Sequence, residues 1–214
     1  MAARIGTVSA LDQDDASVSL SDDRVTLRPW HRDDAQFMAA ASADPEIRRY
    51  NGVHDRQGRP APALSIEEAE RAIDRFTTNR LEFEATGNPT GVAFAIADTT
   101  SGELVGCCGV DGWTEEDAAQ FGYWVAAPAR GQGYATRAAI LLTRWLFERG
   151  AARVFLTVVA DNHRSAAVAH RAGFRHEGIV RDYGIWQGQR CDVMWFAALP
   201  HEWEMRGSPG ASGT

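Results

Sequence analysis

The 214-residue sequence contains few cysteines and no apolar run long enough to cross a membrane. Its three cysteines are an odd number, and Cys107 and Cys108 are neighbours that would point to opposite faces of a strand. We therefore interpret them, together with Cys191, as reduced packing residues rather than a disulfide framework. Because the sequence also shows no signal peptide, it predicts a cytoplasmic protein without a membrane partner.

Positive charge is also in short supply. The chain carries 22 basic and 29 acidic side chains, which gives a formal net charge of −7. This balance argues against general nucleic-acid binding, which needs a basic surface. It fits a cationic substrate such as an amine, and it fits equally well an acidic surface that is simply solvated. His163, His170 and His176 lack a His-x-x-x-His spacing with a carboxylate, so we expect no metal site.

Among the features that are present, a glycine-rich turn at Arg130-Gly-Gln-Gly-Tyr-Ala135 stands between a predicted strand and a predicted helix. Aromatic and β-branched residues indicate the strand at Phe121–Val125, and apolar residues at helical spacing indicate the helix across Ala138–Leu146. Such a turn presents free backbone N–H groups and a positive helix dipole end, which suits a phosphate or pyrophosphate, although glycine also serves turn geometry alone. The turn lacks both the lysine of a nucleotide-triphosphate P-loop and the Gly-x-Gly-x-x-Gly spacing of a dinucleotide site.

The remaining segments predict one domain in which strands and helices are mixed. Further strands are indicated at 24–28, 91–97, 103–110, 154–159, 175–180 and 192–199, and further helices at 35–41, 65–76 and 164–172. Ser65 and Glu68 fit a capping box at the start of the second of these helices. The order β-α-α-β-β-β-α-β-α-β-β predicts a mixed sheet flanked by helices, and we expect disordered tails at 1–21 and 205–214.

Four segments over residues 22–204 resemble the GNAT superfamily of acyl-CoA-dependent N-acyltransferases. They are Arg130-x-x-Gly133-x-Ala135 preceded by Gly122-Tyr-Trp-Val125, Asn162-x-x-Ser165-x-x-Val168-x-x-x-x-Gly173-Phe174, Leu27-Arg28-Pro29 with Asp33-Asp34-Ala35, and Asp192-x-x-x-Phe196-x-x-x-Pro200-x-x-Trp203. The last two are similar to the RimJ/RimL-like branch, which includes enzymes that acetylate protein N-termini. The resemblance implies an α+β fold with a mostly antiparallel central sheet of six to seven strands, about four flanking helices and splayed central parallel strands.

The resemblance also implies a site for acetyl-CoA or another acyl-CoA. The residues assigned to it are Val125, Arg130, Gly131, Gln132, Gly133, Tyr134, Ala135, Asn162 and Ser165. Gly133 would let the backbone approach the pyrophosphate, and the Val125 N–H would stabilise the oxyanion that forms during acyl transfer. Asn162 would cap its helix as well as contact the cofactor. Arg130 would either contribute charge or fix the loop.

The catalytic residues that the family pattern implies are less regular in this sequence. Many members place a tyrosine seven residues after the asparagine to protonate the departing thiolate, whereas this chain has Ala169 there. Ser165 is the candidate replacement acid, and its alternative role is a hydrogen bond within its own helix. Relatives often carry a glutamate as base where this chain has Gln120. The remaining candidates for proton removal, acting through water, are Asp111, Glu116 and Tyr123; bulk solvent is the alternative.

The function implied by the resemblance is direct transfer of an acetyl group from acyl-CoA to a primary amine. The amine must be neutral to attack, and deprotonation at pH 7 costs about 1.4 kcal/mol for an α-amine against about 4.6 kcal/mol for a lysine side chain. This difference favours a protein α-amine or a small-molecule amine as the acceptor.

Three aromatic residues have two interpretations: Trp113, Tyr183 and Trp186 either line the acceptor cleft or are ordinary rim aromatics. The alternative function, motivated by Ala169 and Gln120, is an inactive CoA-binding regulatory module, and both a monomer and a homodimer are compatible with the sequence.

Overall fold

A single eight-stranded sheet with helices on both faces forms the protein. The computed structural model describes residues 18–50, 59–186 and 188–207. The strands are β1 (Leu20–Ser21), β2 (Val25–Pro29), β3 (Ala93–Asp98), β4 (Leu104–Trp113), β5 (Ala118–Val125), β6 (Arg153–Val159), β7 (Arg175–Trp186) and β8 (Gln189–Ala198). The helices are α1 (Ala35–Ser42), α2 (Pro45–Tyr50), α3 (Ile66–Thr86), α4 (Tyr134–Glu148), α5 (His163–Ala172) and α6 (Pro200–Gly207).

The strand order is β1-β2-β3-β4-β5-β6-β8-β7, and every neighbouring pair is antiparallel except β5 and β6. These two central strands are hydrogen-bonded only where Ala118–Gln120 faces Arg153–Phe155. Beyond Gln120 they separate, and a gap opens between their carboxyl-terminal halves. The predicted mixed sheet with splayed parallel strands is therefore confirmed, and the eighth strand is the two-residue β1.

Local sequence signals explain the longest helix. The Ser65 Oγ accepts a hydrogen bond from the Glu68 N–H at 3.2 Å, and the Glu68 carboxylate accepts one from the Ser65 N–H at 2.7 Å. This is the predicted capping box, which satisfies two N–H groups that a helix start otherwise leaves unpaired. Ala69, Ala72 and Ile73 then form the buried stripe of α3.

Two apolar layers hold the helices against the sheet. On one face, Trp145 of α4 is 2% exposed and packs between Phe83 and Phe94, with ring centroids 5.3 and 5.6 Å away. On the other face, Trp30, Met38 and α3 form a smaller buried cluster. Each fully buried large side chain contributes about 1.5–3 kcal/mol. The two layers fix the central strands and so determine the position of the gap between β5 and β6.

The boundaries differ from the predicted ones in several places. Helix α3 continues to Thr86 rather than 76, and β7 continues to Trp186 rather than 180. Leu20 and Ser21 pair with Leu27 and Thr26, so the N-terminal tail predicted at 1–21 is wrong at its end. Helix α6 continues to Gly207, into the C-terminal tail predicted at 205–214. Residues 1–17 and 208–214, the rest of both tails, lie outside the described residues. Helix α2 was not predicted, because six residues are too few to display a helical period.

Among the described helices, none combines the length and apolar character that a membrane crossing requires.

Candidate active site

The gap between β5 and β6 is the entrance to a cleft of about 1450 Å³. Its walls come from β5, the glycine-rich turn, the start of α4, β6 and α5, with α2 and the β7–β8 hairpin at one end. The predicted residues that line it are Tyr123, Val125, Arg130, Gly131, Gln132, Gly133, Tyr134, Ala135, Asn162 and Ser165. Residues that are distant in sequence are therefore brought to one place.

The glycine-rich turn offers backbone groups to this cleft. Gly131 and Gly133 have φ values of +76° and +89°, in the left-handed region that favours glycine. A Cβ on either glycine would meet no other atom within 4 Å, so the space beside the turn is open. Gly133 is the N-cap residue of α4 and provides no side-chain cap. The first N–H groups of α4 thus lack side-chain capping and suit an anion such as a pyrophosphate.

Thr136, which sequence reasoning missed, adds a hydroxyl to the same wall. It lies in the first turn of α4 and lines the cleft. Its Oγ1 is buried and has no hydrogen-bond partner among the described residues. A buried hydroxyl without a partner costs free energy, and a phosphate oxygen would satisfy it. The available signal was a hydroxyl residue directly after the glycine-rich motif.

Arg130 fixes the loop with its guanidinium. Its Nε donates to the Val125 carbonyl at 3.0 Å, and its two terminal nitrogens bond Glu46 and Asp44 at 2.8 Å each. These three bonds tie the turn to β5 and to α2. Burial alone would raise the pKa of Asp44. The hydrogen bonds that its carboxylate accepts from Arg130 and from two backbone N–H groups outweigh this effect, so the pKa lies below its ordinary value. Of the two predicted roles for Arg130, this geometry matches loop fixation.

The side chains of Gln132 and Tyr134 also stabilise the turn. Gln132 donates to the Pro128 carbonyl at 3.0 Å. The Tyr134 hydroxyl donates to Asp98 at 2.7 Å, and the Arg24 guanidinium lies 5.0 Å from its ring centroid. The Tyr134 hydrogen bond, with backbone N–H groups, lowers the pKa of Asp98 to about 2. In this motif the side chains shape the loop, and the backbone faces the cleft.

Val125 lies where an oxyanion donor is expected. The Ala126 N–H bonds the Val105 carbonyl of β4, and the Val125 carbonyl turns the other way to Arg130. Because both backbone groups of a strand residue point to the same side, the Val125 N–H is directed away from β4 and toward the gap. A thioester carbonyl placed in the gap would meet this donor.

Two hydroxyl groups meet across the cleft. The Tyr123 hydroxyl of β5 lies 2.8 Å from the Ser165 Oγ of α5. Burial raises the pKa of Tyr123 to about 12, partly offset by its hydrogen bond with Ser165, so the phenol stays protonated at neutral pH. Asn162 caps α5, because its side-chain oxygen accepts the Ser165 N–H at 3.1 Å, as predicted. Ala169, where the family pattern has a tyrosine, is packed in the core and carries no acidic group. A phenol is nevertheless present beside α5, because Tyr123 of β5 reaches Ser165.

Glu116 is not brought together with these residues. It is exposed in the turn between β4 and β5, where its N–H bonds the Thr114 hydroxyl at 3.2 Å. That turn lies at the opposite end of β5 from Val125, and Glu116 does not line the cleft. Trp113, the last residue of β4, flanks this turn, and its indole N–H bonds Asp117 at 3.0 Å. The interpretation of Glu116 as a base through water therefore has no geometric support, because the strand length separates it from the hydroxyl pair.

Helix α2 bridges the two walls of the cleft. Glu46 receives hydrogen bonds from Arg130 of the turn and from Arg164 of α5, the latter at 2.8 and 3.0 Å. Arg49 pairs with Asp161 in the β6–α5 loop at 2.7 Å. These contacts could not be predicted from local sequence patterns, because more than 80 residues separate the partners.

The end of the cleft next to α2 is aromatic. Tyr50 stacks on Trp186 with ring centroids 6.0 Å apart, and Tyr183 lies nearby on the lining. Cys191 also lines this end, and burial raises its pKa, with a smaller contribution from carboxylates outside the cleft lining. Two of the three aromatics named from the sequence thus line the cleft, and this end offers π faces.

Comparison with known proteins agrees with this geometry. The model of the acetyltransferase (GNAT) domain family matches residues 24–175. A protein named uncharacterized N-acetyltransferase p20, from Bacillus licheniformis, is 27% identical over 187 residues, which cover 86% of this chain and 98% of that one.

Two solved structures share the fold. The ribosomal-protein-S5-alanine acetyltransferase of Vibrio fischeri matches with a TM-score of 0.69 and 18% identity, covering 87% of this chain and 98% of that one. The spermidine N-acetyltransferase of Vibrio cholerae, solved with CoA and spermine, matches with a TM-score of 0.68 and 19% identity, covering 86% and 99%. The family match spans more than half of the chain, so this protein belongs to the GNAT family and is an N-acetyltransferase that uses acetyl-CoA as co-substrate.

Proposed function

We propose that this enzyme acetylates the α-amine of a protein or peptide, or a small-molecule amine, within the RimJ/RimL-like branch. The observation that carries the proposal is the pair of hydroxyls, Tyr123 and Ser165, opposite the glycine-rich turn. Similarity to a ribosomal-protein acetyltransferase and to a spermidine acetyltransferase supports the two acceptor classes. The aromatic end of the cleft suits an acceptor that arrives as a cation.

The proposed mechanism uses the described groups in order. The amine attacks the thioester carbonyl carbon, and the Val125 N–H stabilises the resulting oxyanion; removal of one such donor costs about 2.7–4 kcal/mol in other enzymes. The carbon–sulfur bond then breaks, and the Ser165–Tyr123 pair delivers a proton to the thiolate. The pair is connected by a 2.8 Å hydrogen bond, so a proton lost by one hydroxyl is replaced through the other. The first N–H groups of α4 and Thr136 hold the pyrophosphate.

The test replaces each hydroxyl separately. Ser165→Ala and Tyr123→Phe should bind acetyl-CoA with nearly unchanged affinity while kcat falls by about 10²–10⁴, the usual contribution of a general acid. Binding is read from thermal stabilisation and turnover from thiol release, with an N-terminal alanine peptide, an N-terminal serine peptide and spermidine as acceptors. Because the chain contains no lysine, its own lysine side chains cannot compete as acceptors.

Ser21→Ala is the matched control, since Ser21 is an exposed hydroxyl on the two-residue strand at the far edge of the sheet. Unchanged kcat in both site variants would overturn the acid role of the pair. Stabilisation by acetyl-CoA without thiol release from any acceptor would favour the inactive CoA-binding module instead.

We also propose a cytoplasmic location, supported by three cysteines that form no disulfide and by the use of acetyl-CoA.

A further inference from the structure

Asp111 lies at a bulge of β4 beside the strand that carries Tyr123. Val110 pairs with Phe121 and Gly112 pairs with Gln120, so Asp111 is the additional residue between the two pairs. A bulge re-aims the side chain of such a residue. A Cβ placed on Gly122 would meet the Asp111 Oδ2 at 2.8 Å. The carboxylate therefore fills the space that a side chain at position 122 would occupy.

The carboxylate lies against Gly122, a residue of the cleft wall, and does not itself line the cleft. Gly122 and Tyr123 are successive residues of β5 and both line the cleft, while side chains alternate between the faces of a strand. Asp111 consequently lies on the face of β5 opposite the Tyr123–Ser165 pair. In acyl transfer the amine adds to the carbonyl carbon and the thiolate leaves it, so a base and an acid are needed on different sides of that carbon.

Other carboxylates near this point already have partners. Glu46 is the one acidic residue that lines the cleft in the described part of the chain, and Arg130 and Arg164 hold it. Asp111 makes no hydrogen bond or ion pair with the described residues. Gln120, where the family resemblance expects a glutamate, lies two residues before Gly122 on the same face. An acid supplied by β4 thus occupies the region that β5 leaves without one.

The environment of Asp111 gives it suitable basicity. Burial against the sheet raises the pKa of Asp111 to about 6, although more than a third of the residue's surface stays exposed to water. The sheet therefore desolvates the side of the carboxylate over Gly122 while water reaches the other side. Among the described residues, Cys107 on the same strand is the titratable group coupled to it, and no charged group of β3, β5 or the helices contributes to the shift. The carboxylate is ionised at neutral pH and able to accept a proton.

We propose that Asp111 is the general base of the reaction and accepts the proton of the acceptor amine, through at most one water molecule. The inference rests on the proposed amine acetylation. The nitrogen–carbon bond forms as the amine proton moves to the Asp111 carboxylate. The carbon–sulfur bond then breaks and the hydroxyl pair protonates the thiolate. Asp111 releases its proton to solvent, and the hydroxyl pair regains one from solvent, so both groups return to their starting states.

The experiment measures kcat/KM for Asp111→Asn between pH 5.5 and 8.5, by thiol release with the N-terminal alanine peptide. We expect a loss of about 10²-fold or more at pH 7. The inflection near pH 6 in the unmodified enzyme should disappear, leaving the titration of the amine alone. Asp111→Glu should restore part of the rate. Glu115→Gln, which removes an exposed carboxylate from the adjoining turn, should leave the profile unchanged.

Thermal stability separates this role from a structural one. The folded pKa of about 6 exceeds the ordinary value of 3.8, so the folded state binds the proton more tightly and stability falls as pH rises from about 4 to 6. Asp111→Asn removes this cost, and its Tm at pH 7 should be equal to or above that of the unmodified enzyme. A Tm that falls together with the rate would indicate a structural role and overturn the proposal.

Gly122→Ala provides a second variant, because its Cβ would displace the carboxylate by direct contact. We expect it to lower kcat/KM and to shift the inflection away from pH 6. Retention of the full rate and of the inflection in both variants overturns the proposal for Asp111 alone. Absence of transfer by the unmodified enzyme to any acceptor overturns the proposed function and this inference with it.

Discussion

The two ends of the cleft are built in different ways. At the end formed by the glycine-rich turn, backbone N–H groups and open space face the cleft, while the side chains of Arg130, Gln132 and Tyr134 hold the loop in shape. At the other end, the aromatic side chains of Tyr50, Tyr183 and Trp186 face the cleft, and they come from α2 and the β7–β8 hairpin.

Under the proposed function, this difference follows from what each end would bind. A pyrophosphate is the same in every acyl-CoA, and backbone donors recognise it without depending on side-chain identity. Acceptor amines differ from one enzyme to another, and recognition by side chains changes with single substitutions. Variants at the first end should therefore alter acetyl-CoA binding, and variants at the second should alter the acceptor.

Among the variants that test this comparison, the largest effect is expected for Gly133→Ala. The φ of +89° costs an alanine about 1–2 kcal/mol, and the methyl group would enter the open space beside the turn. Loss of one charge-assisted hydrogen bond, worth about 1.5–3 kcal/mol, would weaken acetyl-CoA binding by about 10- to 150-fold. Calorimetric titration with acetyl-CoA measures this change.

Gly102→Ala is the matched control for that variant. Gly102 has a φ of +74° and equally open surroundings, but it lies in the turn between β3 and β4, outside the cleft. Both variants should lose similar stability, and only Gly133→Ala should lose affinity. Equal affinities in the two variants would show that the turn does not contact the cofactor.

A smaller effect is expected for Trp186→Ala at the other end. The Trp186 ring lines this end, and its contact with an amine cation would contribute about 0.5–2 kcal/mol, which predicts a rise of about 2- to 30-fold in the KM of the acceptor. The Kd of acetyl-CoA should stay the same. Trp113→Ala, an aromatic substitution outside the cleft, should change neither constant. A shift confined to the Kd of acetyl-CoA would contradict the division between the two ends.

The smallest effect is expected for Glu46→Gln, which tests whether the two ends are independent. The Glu46 carboxylate holds Arg164 and Arg130 in partly exposed ion pairs, worth about 0.2–1 kcal/mol each. Removing its negative charge from beside the turn should tighten acetyl-CoA binding by up to about fivefold. Loosening of α2 should at the same time raise the KM of the acceptor. A change confined to one of the two constants would argue that α2 acts on one end only.

Prediction from the sequence succeeded where local chemistry decides the structure. The capping box of Ser65, the alternating strands and the glycine-rich turn each depend on a few neighbouring residues, and all three were recognisable. The cap that Asn162 provides for α5 is local in the same sense. The glycine-rich turn and its place between β5 and α4 were therefore recognisable from one contiguous motif.

The sequence was less informative where distant residues meet. Helix α2 carries too few residues for a periodic pattern, and its partners Arg130, Asp161 and Arg164 are far away in the chain. Spacing alone did not separate Glu116 from Asp111, because strand geometry and a bulge decide which of the two approaches Gly122. Tertiary contacts of this kind have no local signature.

The short pairing of β5 with β6 gives the protein a sheet edge in its interior. Exposed edge strands invite other chains to add to them, and proteins usually protect such edges with bulges or charges. The outer edge at β7 has bulges near Gly178 and after Val180. The inner edge lies inside the molecule, where α2 and α5 are joined across the cleft by the Glu46–Arg164 ion pair. Its unpaired strand groups are therefore offered to a molecule in the cleft, as those of an outer edge are offered to another chain.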